Sequence, residues 1–350
     1  MKKITFLIAS LIVLCTLCSC GHNPHNSSDL TNDMHESLNT VKRVDDVGKL
    51  YEMDVKFDYE SSDFNKLLEN NKLTKTKPGC TTFMTHNENN DVVSCRNFDT
   101  NHKANKSEIE DGIFVVYHCH NEGSYKSISI ADIKYLNDEN EKYKLGALDD
   151  GNTDTSNIVL SIYDPLDGLN EKGLSVFSLS SDITQGETPY TGVNPNLESC
   201  TIGVLMRHIL DKCATVEEAC ELAKQYNVFG YYDAPVPNHL FISDNSGVSK
   251  AIEWRGNEMR IVDSNVSTNF YLAWDDKYGH GQDRYNIATE TLKQKTNKEI
   301  IKNLLSAVAQ HPKTEKSSLT QYSAFYNNQK LTLDIWMSRD YSKKYSFNII

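Results

Sequence analysis

Apolar and polar residues alternate along much of this chain with the period of β-strands. Two β-type runs, 80–83 and 92–98, flank an Asn/Asp cluster at 87–91, which predicts a hairpin. The other strand-like runs are 112–119, 125–133, 158–163, 173–179, 239–244, 249–254, 259–262, 321–325 and 331–337. Turn clusters join several of them, so a mainly antiparallel arrangement is expected.

Helical patterns lie between these blocks of strands. Residues 202–210 carry an apolar stripe at helical spacing. Thr215 with Glu218, and Thr296 with Glu299, have the spacing of capping boxes that open two further helices. Strand blocks that alternate with helix blocks predict an α+β protein built of packed layers.

The first residues have the layout of a secretory signal. Lys2 and Lys3 precede an apolar run, 4–17, that is too short to span a bilayer. Residues 17–20, Leu-Cys-Ser-Cys, resemble a bacterial lipobox, which makes Cys20 the candidate for lipidation. We therefore expect a lipoprotein-type signal peptide at 1–20 and a protein anchored in the bacterial cell envelope. Ordinary signal cleavage with secretion stays open as the alternative.

Three further segments follow the signal. Residues 21–45 are mostly polar and are expected to be an unfolded tether. Residues 46–79 carry more apolar side chains and are interpreted as a prosegment that folds against the main body. Residues 80–350 are long enough for one catalytic domain.

Charge and composition exclude several functions. The net charge is −12 without a Lys/Arg cluster, so no nucleic-acid partner is expected. Six of the nine cysteines lie outside the signal region, and their spacing shows no regular disulfide framework. His118 and His120 share one strand face, but no third ligand lies nearby in sequence, and no metal or cofactor is expected. Phosphate-loop, dinucleotide and Gly-x-Ser-x-Gly motifs are absent from the sequence.

The hairpin at 80–98 carries the candidate nucleophile. A free cysteine is mostly protonated at neutral pH and needs a base or a nearby cation. If the chain is cut between Gly79 and Cys80, the new α-amine becomes a base on the same residue as the thiol. Arg96 would supply positive charge, and Asp99 would orient the amine. Period-two alternation puts Arg96 and Asp99 on opposite faces, so this hypothesis requires a bend or bulge.

This stretch resembles the linear amide C–N hydrolases of the N-terminal-nucleophile (Ntn) superfamily. These are bile salt hydrolases, penicillin V acylases and the acyl-CoA:6-aminopenicillanic acid acyltransferase group, peptidase C45. Their opening pattern, a nucleophilic Cys, a hairpin and Arg-Asn-x-Asp, is met by Cys80, Arg96 and Asp99. The resemblance implies a four-layer αββα sandwich of antiparallel sheets.

Further matches extend to about residue 337. Residues 167–174 resemble the family's Asp-Gly-Met-Asn-Glu-Lys-Gly-Leu segment, and residues 319–324 resemble its closing strand, which is structural. Bile salt hydrolases carry an oxyanion-hole Asn where this chain has Ser180, which puts bile-salt specificity in doubt. Ser180 and Asn170 are the candidates for backbone or oxyanion contacts. Asn269 matches the family's oxyanion donor, and Arg284 matches a second arginine near the nucleophile.

The resemblance implies a self-processing, N-terminal-cysteine amidohydrolase that cleaves linear N-acyl amides without a cofactor. The partner would be a small-molecule amide, with the membrane contacted only through the lipid. Two alternatives stay open: transfer of the acyl group to an amine, and a non-catalytic lipoprotein that binds a ligand. Acyl specificity and homo-oligomer formation also stay open, because loops on a shared scaffold diverge freely.

Overall fold

The computed structural model describes residues 30–59, 79–100, 112–133, 148, 156–181, 196–229, 238–255, 258–311 and 318–349. The predicted signal peptide, Cys20 and the start of the tether lie outside these residues, as does 60–78 of the prosegment. Within the described ranges, no helix is long and apolar enough to span a membrane.

Two large sheets form the centre of the molecule. In spatial order, the nine-stranded sheet contains β1 (Lys42–Arg43), β2 (Leu50–Val55), β5 (Phe114–Cys119), β6 (Ser127–Asp132), β7 (Asp167–Asn170), β8 (Ser175–Ser180), β11 (Asn238–Ser243), β12 (Ser249–Arg255) and β13 (Glu258–Asp263). The six-stranded sheet contains β14 (Val266–Ser267), β3 (Gly79–His86), β4 (Val92–Thr100), β17 (Leu319–Asn327), β18 (Thr332–Met337) and β19 (Tyr345–Asn348).

Shorter elements complete the described part. Two small sheets pair β9 (Glu198–Thr201) with β10 (Tyr226–Phe229), and β15 (Asn269–Phe270) with β16 (Gly279–His280). The helices are α1 (Asn32–Leu38), α2 (Ile202–Lys212), α3 (Val216–Ala223), α4 (Gln282–Thr291), α5 (Lys298–Ala307) and a 3₁₀ helix (Ser156–Tyr163).

Within the described residues, three large apolar cores separate four layers. One core fills the space between the nine-stranded sheet and the layer of α1, α2, α3 and the 3₁₀ helix. A second lies between the two sheets and includes Cys80, Phe98 and Phe114. A third lies between the six-stranded sheet and α4 with α5. The order helix, sheet, sheet, helix confirms the predicted αββα sandwich. The expected antiparallel pairing holds in both large sheets except between β2 and β5, which are parallel.

The strand predictions hold for every run except 158–163, which forms the 3₁₀ helix instead. Apart from Ser161 this short run is apolar throughout, so periodicity cannot distinguish a buried strand from a buried helical turn. Here the Ser161 hydroxyl donates to the Ile158 carbonyl at 2.8 Å, and the Tyr117 hydroxyl donates to the same carbonyl at 2.9 Å. These bonds close the helical turn and tie it to β5.

The predicted tether is also structured over its described residues. Residues 30–45 contain α1 and β1, with the Thr31 hydroxyl accepting from the Met34 N–H at 3.3 Å as the N-cap. Met34 and Leu38 pack against the core between the nine-stranded sheet and its helix layer, which we call the helix-side core. Ser37 is buried. The few apolar residues of this segment are spaced so that they cover that core. The prediction of an unfolded tether, which rested on low mean hydropathy, is therefore wrong for residues 30–45.

Helix starts were predicted with mixed success. Thr215 caps α3 by accepting from the Glu218 N–H at 3.2 Å, as predicted. Thr296 does not cap α5, because its hydroxyl donates to the His86 carbonyl. Asn297 is the cap, and its side chain accepts from the Ile300 N–H at 2.9 Å. The neighbouring residues are both good N-caps, and the contact with His86 decides between them.

Candidate active site

Cys80 is the second residue of β3 and is fully buried between the two sheets. Its register partner on β4 is Phe98, and Thr82 pairs with Arg96. The Arg96 guanidinium reaches back along this face, so that Nη2 donates to Cys80 Sγ at 3.1 Å. The hairpin predicted from sequence therefore brings the thiol and the arginine into direct contact.

Arg96 is held mainly by the opposite sheet. Its Nη1 donates to Asp167 Oδ2 at 3.0 Å and to the Leu166 carbonyl, and its Nη2 donates to the Ser178 carbonyl at 2.7 Å. Both members of the Arg96–Asp167 ion pair are fully buried. Burial by itself would lower the pKa of Arg96, but the Cys80 thiol, Tyr322 and Asp167 raise it above its usual value. The guanidinium thus stays charged and fixed beside the sulfur.

Two tyrosines complete the environment of Asp167. The Tyr322 hydroxyl donates to Asp167 Oδ2, and the Tyr326 hydroxyl donates to Oδ1. Sequence reasoning treated the closing strand as structural and missed both roles. Residues 322, 324 and 326 alternate onto one face of β17. This alternation is the signal that could have indicated that both tyrosines face the site.

The buried ion pair predicts a non-additive effect on stability. Arg96→Met should destabilise the protein by about 3–5 kcal/mol, because it leaves the Asp167 carboxylate buried without its cation. Adding Asp167→Asn should recover part of this loss, since the uncompensated charge is then removed. Urea unfolding of the single and double variants measures the effect. A double variant less stable than the Arg96→Met single variant would contradict it.

In the uncut chain, the thiol of Cys80 is less acidic than that of a free cysteine, because its pKa is raised. Burial raises the pKa of the Cys80 thiol, and the positive charge of Arg96 only partly offsets this. Much of that charge is also balanced by Asp167. A base must therefore take the thiol proton before Cys80 can act as a nucleophile at neutral pH.

Asn269 lies at the backbone of the same cysteine. The Cys80 N–H donates to Asn269 Oδ1 at 2.7 Å, and Arg284 Nη2 donates to the same oxygen at 2.8 Å. Two donors on Oδ1 fix the amide orientation, so Nδ2 points the other way and donates to the Ser180 carbonyl at 2.7 Å. Arg284 Nη1 also donates to the Cys80 carbonyl at 2.5 Å. Asn269, Arg284 and Ser180 thus all lie at the start of β3.

A second buried pair, not found from sequence, holds the backbone around Asn269. His239 Nε2 donates to the Thr268 carbonyl at 2.6 Å, and His239 Nδ1 lies 3.4 Å from Glu253 Oε1. Glu253 accepts from the N–H groups of Leu272 and Ala273, each at 2.8 Å. These contacts hold the residues on either side of β15, the short strand that begins with Asn269. The residues lie far apart in sequence, and no local motif signals the pairing.

Asp99 faces away from the thiol. Its carboxylate accepts from Gln310 Nε2 at 2.7 Å and from the Thr320 hydroxyl at 2.5 Å, and it lies 3.6 Å from Arg284 Nη1. Burial raises the pKa of this carboxyl, partly countered by Arg284. The required bend of β4 is not found: the irregularity lies on β17, between Thr320 and Tyr322. Arg96 and Asp99 therefore remain on opposite faces of the sheet.

The Gly79–Cys80 bond lies between these two groups of residues. Gly79 pairs with Asp99, while the single N–H of Cys80 is taken by Asn269 and not by Asp99 in the uncut chain. A Cβ at position 79 would overlap Gln310 Nε2, the donor to Asp99. Glycine at this position thus keeps Gln310 and Asp99 beside the Gly79–Cys80 bond, where cleavage is predicted.

Asn170 is not brought to the site. Its Nδ2 donates to the carbonyls of Leu210 and Cys213 at 2.9 and 2.7 Å, and its Oδ1 accepts from the N–H groups of Lys172 and Leu174. The two Nδ2 bonds fasten the end of α2 to the turn after β7, and the two Oδ1 bonds close that turn. The residue has a structural role there.

The other cysteines and the His118–His120 pair are not part of the site around Cys80. Cys95 is buried on the other face of β4, in the core next to α4 and α5. All six cysteines in the described ranges are free thiols. No group of His, Cys, Asp and Glu in those ranges has the arrangement of a metal site, His118 and His120 included.

A comparison with models of protein families identifies the family of this chain. Residues 80–307 match the model of the linear amide C–N hydrolases, choloylglycine hydrolase family, and the match begins at Cys80. The chain belongs to this family. The choloylglycine hydrolase family membership makes the protein a linear amide C–N hydrolase of the Ntn type, in agreement with the sandwich fold.

Solved structures with the same fold include members of known activity. A cysteine-to-alanine variant of the conjugated bile acid hydrolase from Clostridium perfringens matches at a TM-score of 0.52 and 16% identity, covering 77% of this chain and 92% of that chain. An arginine-to-leucine variant of the same hydrolase matches at 0.53, also with 16% identity, 77% and 92%. Penicillin V acylase from Agrobacterium tumefaciens matches at 0.49 and 16% identity, covering 74% and 83%. No curated protein sequence matches this chain.

Proposed function

We propose that this choloylglycine hydrolase family member is a self-processing amidohydrolase whose nucleophile is the N-terminal cysteine created at Cys80. Its substrate class is a small linear N-acyl amide, as for penicillin V acylases and bile salt hydrolases. The observation that carries the proposal is the buried contact of Cys80 Sγ with Arg96 Nη2 at 3.1 Å, at the first strand residues of the family match.

Processing begins with the thiol. Cys80 Sγ attacks the Gly79 carbonyl carbon and an S–C bond forms, the thiol proton passes to the Cys80 nitrogen, and the C–N bond to Cys80 breaks. Water then hydrolyses the thioester, which releases the Gly79 carboxylate and regenerates the thiol. The product is a free α-amine on Cys80, with a reference pKa of about 8. The missing base is thereby supplied on the nucleophile itself.

Turnover uses the same residues again. The α-amine takes the thiol proton, the thiolate attacks the amide carbonyl of the substrate, and the amine returns the proton to the leaving nitrogen. Arg96 stabilises the thiolate. The Asn269 amide, held by Arg284, donates to the oxyanion together with backbone N–H groups near Ser180. Asp99 and Gln310 lie beside Gly79 and receive the new amine once the chain is cut.

The test combines an intact mass with a substrate panel. Recombinant protein should yield a chain that begins at Cys80, and that sample should release amine from at least one N-acyl amide among penicillin V, glycine- and taurine-conjugated bile acids and N-acyl amino acids. Full turnover by a chain whose Gly79–Cys80 bond is uncut would reject the mechanism. A second run with hydroxylamine separates hydrolysis from acyl transfer, because a transferase should form the hydroxamate in preference to the free acid.

We propose further that the precursor is a lipoprotein of the bacterial envelope, acylated at Cys20. The support is sequence alone: a basic start, an apolar run and Cys20 after small residues. Wild-type precursor should fractionate with membranes, and Cys20→Ala should remove it from that fraction. An unchanged membrane fraction for Cys20→Ala would contradict lipid anchoring.

A further inference from the structure

Part of the chain that precedes the family match is built into the nine-stranded sheet. We call residues 30–59 the N-terminal segment. The match begins at Cys80, yet β2 of this segment pairs in parallel with β5, from Leu50 opposite Phe114 to Val55 opposite Cys119. Its other edge is covered by β1. The segment therefore extends the sheet by backbone hydrogen bonds and is not laid over its surface.

Side chains of the N-terminal segment enter two of the three cores. Leu50 is fully buried in the core between the sheets, which also contains Cys80 and Phe114. On the other face of β2, and in the residues just after it, the helix-side core receives Tyr51, Met53, Val55, Phe57 and Tyr59. Loss of the segment would expose apolar surface in both cores.

Tyr59, the last residue of the N-terminal segment, makes a buried polar contact with α2. The Tyr59 hydroxyl donates to Asp211 Oδ1 at 3.0 Å, and Arg207 donates to the same oxygen from Nε at 3.0 Å and Nη2 at 2.8 Å. The Arg207 guanidinium also lies 5.6 Å from the centroid of the Tyr59 ring. A buried ion pair is stable only when its remaining hydrogen-bond positions are filled, and Tyr59 fills one of them. Arg207 and Asp211 lie on α2, within the matched residues.

We propose that the N-terminal segment is a permanent subunit of the mature enzyme, bound without a covalent link after cleavage before Cys80. The cleavage rests on the proposed function, whereas the retention follows from the contacts of residues 30–59. The partner surface is the edge of β5 that pairs with β2, together with the Arg207–Asp211 side of α2. Because Leu50 shares a core with Cys80, we expect activity to depend on the bound segment.

Retention is tested without relying on self-cleavage. A recognition sequence for a site-specific protease is inserted within residues 60–78 of the Cys80→Ala variant, which cannot cut itself, and the purified protein is cut by added protease. The two fragments should co-elute on size exclusion at the position of the uncut protein, in 150 mM and in 1 M NaCl, since buried contacts are little screened by salt. Urea should release the segment together with loss of the near-UV circular dichroism.

The opposite result is equally clear. Elution of the segment as a separate species in 150 mM NaCl, while the remaining chain keeps its native circular dichroism, would overturn the proposal. In the self-cleaving wild type, a tag on the segment should co-purify the Cys80 chain and its activity. A tagged segment that leaves behind an active Cys80 chain would overturn it as well.

Matched variants then locate the binding energy. In the cut protein, Tyr59→Phe should lower the urea midpoint for release by roughly 0.5 M, because one buried hydrogen bond to a charged group is lost. Asp54→Asn is the control, since Asp54 lies on the same segment but is exposed. Equal midpoints for Tyr59→Phe and wild type would remove the Tyr59–Asp211 contact from the interface. A midpoint lowered as much by Asp54→Asn would show that the effect is not specific to it.

Discussion

Replacing Cys80 by alanine is expected to leave the Gly79–Cys80 bond intact and to abolish amide hydrolysis. Both steps depend on the same sulfur, which contacts Arg96 Nη2 at 3.1 Å. Removing a covalent nucleophile generally costs several powers of ten in kcat. Intact mass reports the uncut chain, and amine release from the best substrate of the panel reports turnover.

Cys95→Ala is the matched control for that variant. Cys95 is equally buried, on the neighbouring strand β4, but its side chain lies in the core next to α4 and α5. It should be cut and active, with at most the modest loss of stability expected for a small buried side chain. If the Cys80→Ala chain were cut at the same bond, or if Cys95→Ala alone were inactive, Cys80 would not be the nucleophile.

Asn269→Ala is expected to lower kcat by roughly 100- to 1000-fold, since an amide donor to a developing oxyanion contributes about 3–4 kcal/mol. The structure adds a second reason, because the same side chain accepts from the Cys80 N–H and from Arg284. Kinetics on protein confirmed to be cut, together with a thermal melt, separate lost chemistry from lost folding.

Asn269→Asp distinguishes the two roles of this side chain. Aspartate keeps the acceptor for Cys80 and Arg284 but has no N–H to give. If donation to the oxyanion is what matters, Asn269→Asp should be as slow as Asn269→Ala while it is processed more completely. Near wild-type turnover by Asn269→Asp would assign Asn269 a positioning role and exclude it as the oxyanion donor.

Local sequence patterns correctly predicted those features that depend on residues close together in the chain or on paired strands. The hairpin, the contact of Cys80 with Arg96 and the cap at Thr215 each involve residues that are close in sequence or on paired strands. The family resemblance then supplied the order of the four layers, which alternation alone does not contain. The strand predicted at 158–163 was wrong because this short run is apolar except for Ser161 and shows no clear periodicity.

Long-range partners could not be predicted in the same way. Asp167 was part of a recognised motif, but its bonds to Arg96, Tyr322 and Tyr326 depend on which strands of the two sheets face each other. The same holds for Tyr59 and Asp211, and for His239 and Thr268. Asp99 could share the site with Arg96 only if β4 bends or bulges, and regular alternation, which puts the two residues on opposite faces, was the better guide.

The path of the chain between the sheets bears on whether unfolding is reversible. The chain leaves the nine-stranded sheet after β2, forms β3 and β4 in the six-stranded sheet, and returns to pair β5 with β2. Before cleavage, the covalent connection keeps β2 at a high effective concentration near β5. After the proposed cleavage, refolding would become a bimolecular reaction whose rate falls with dilution. The mature enzyme would then persist for as long as its unfolding is slow, and a molecule denatured at low concentration would not recover.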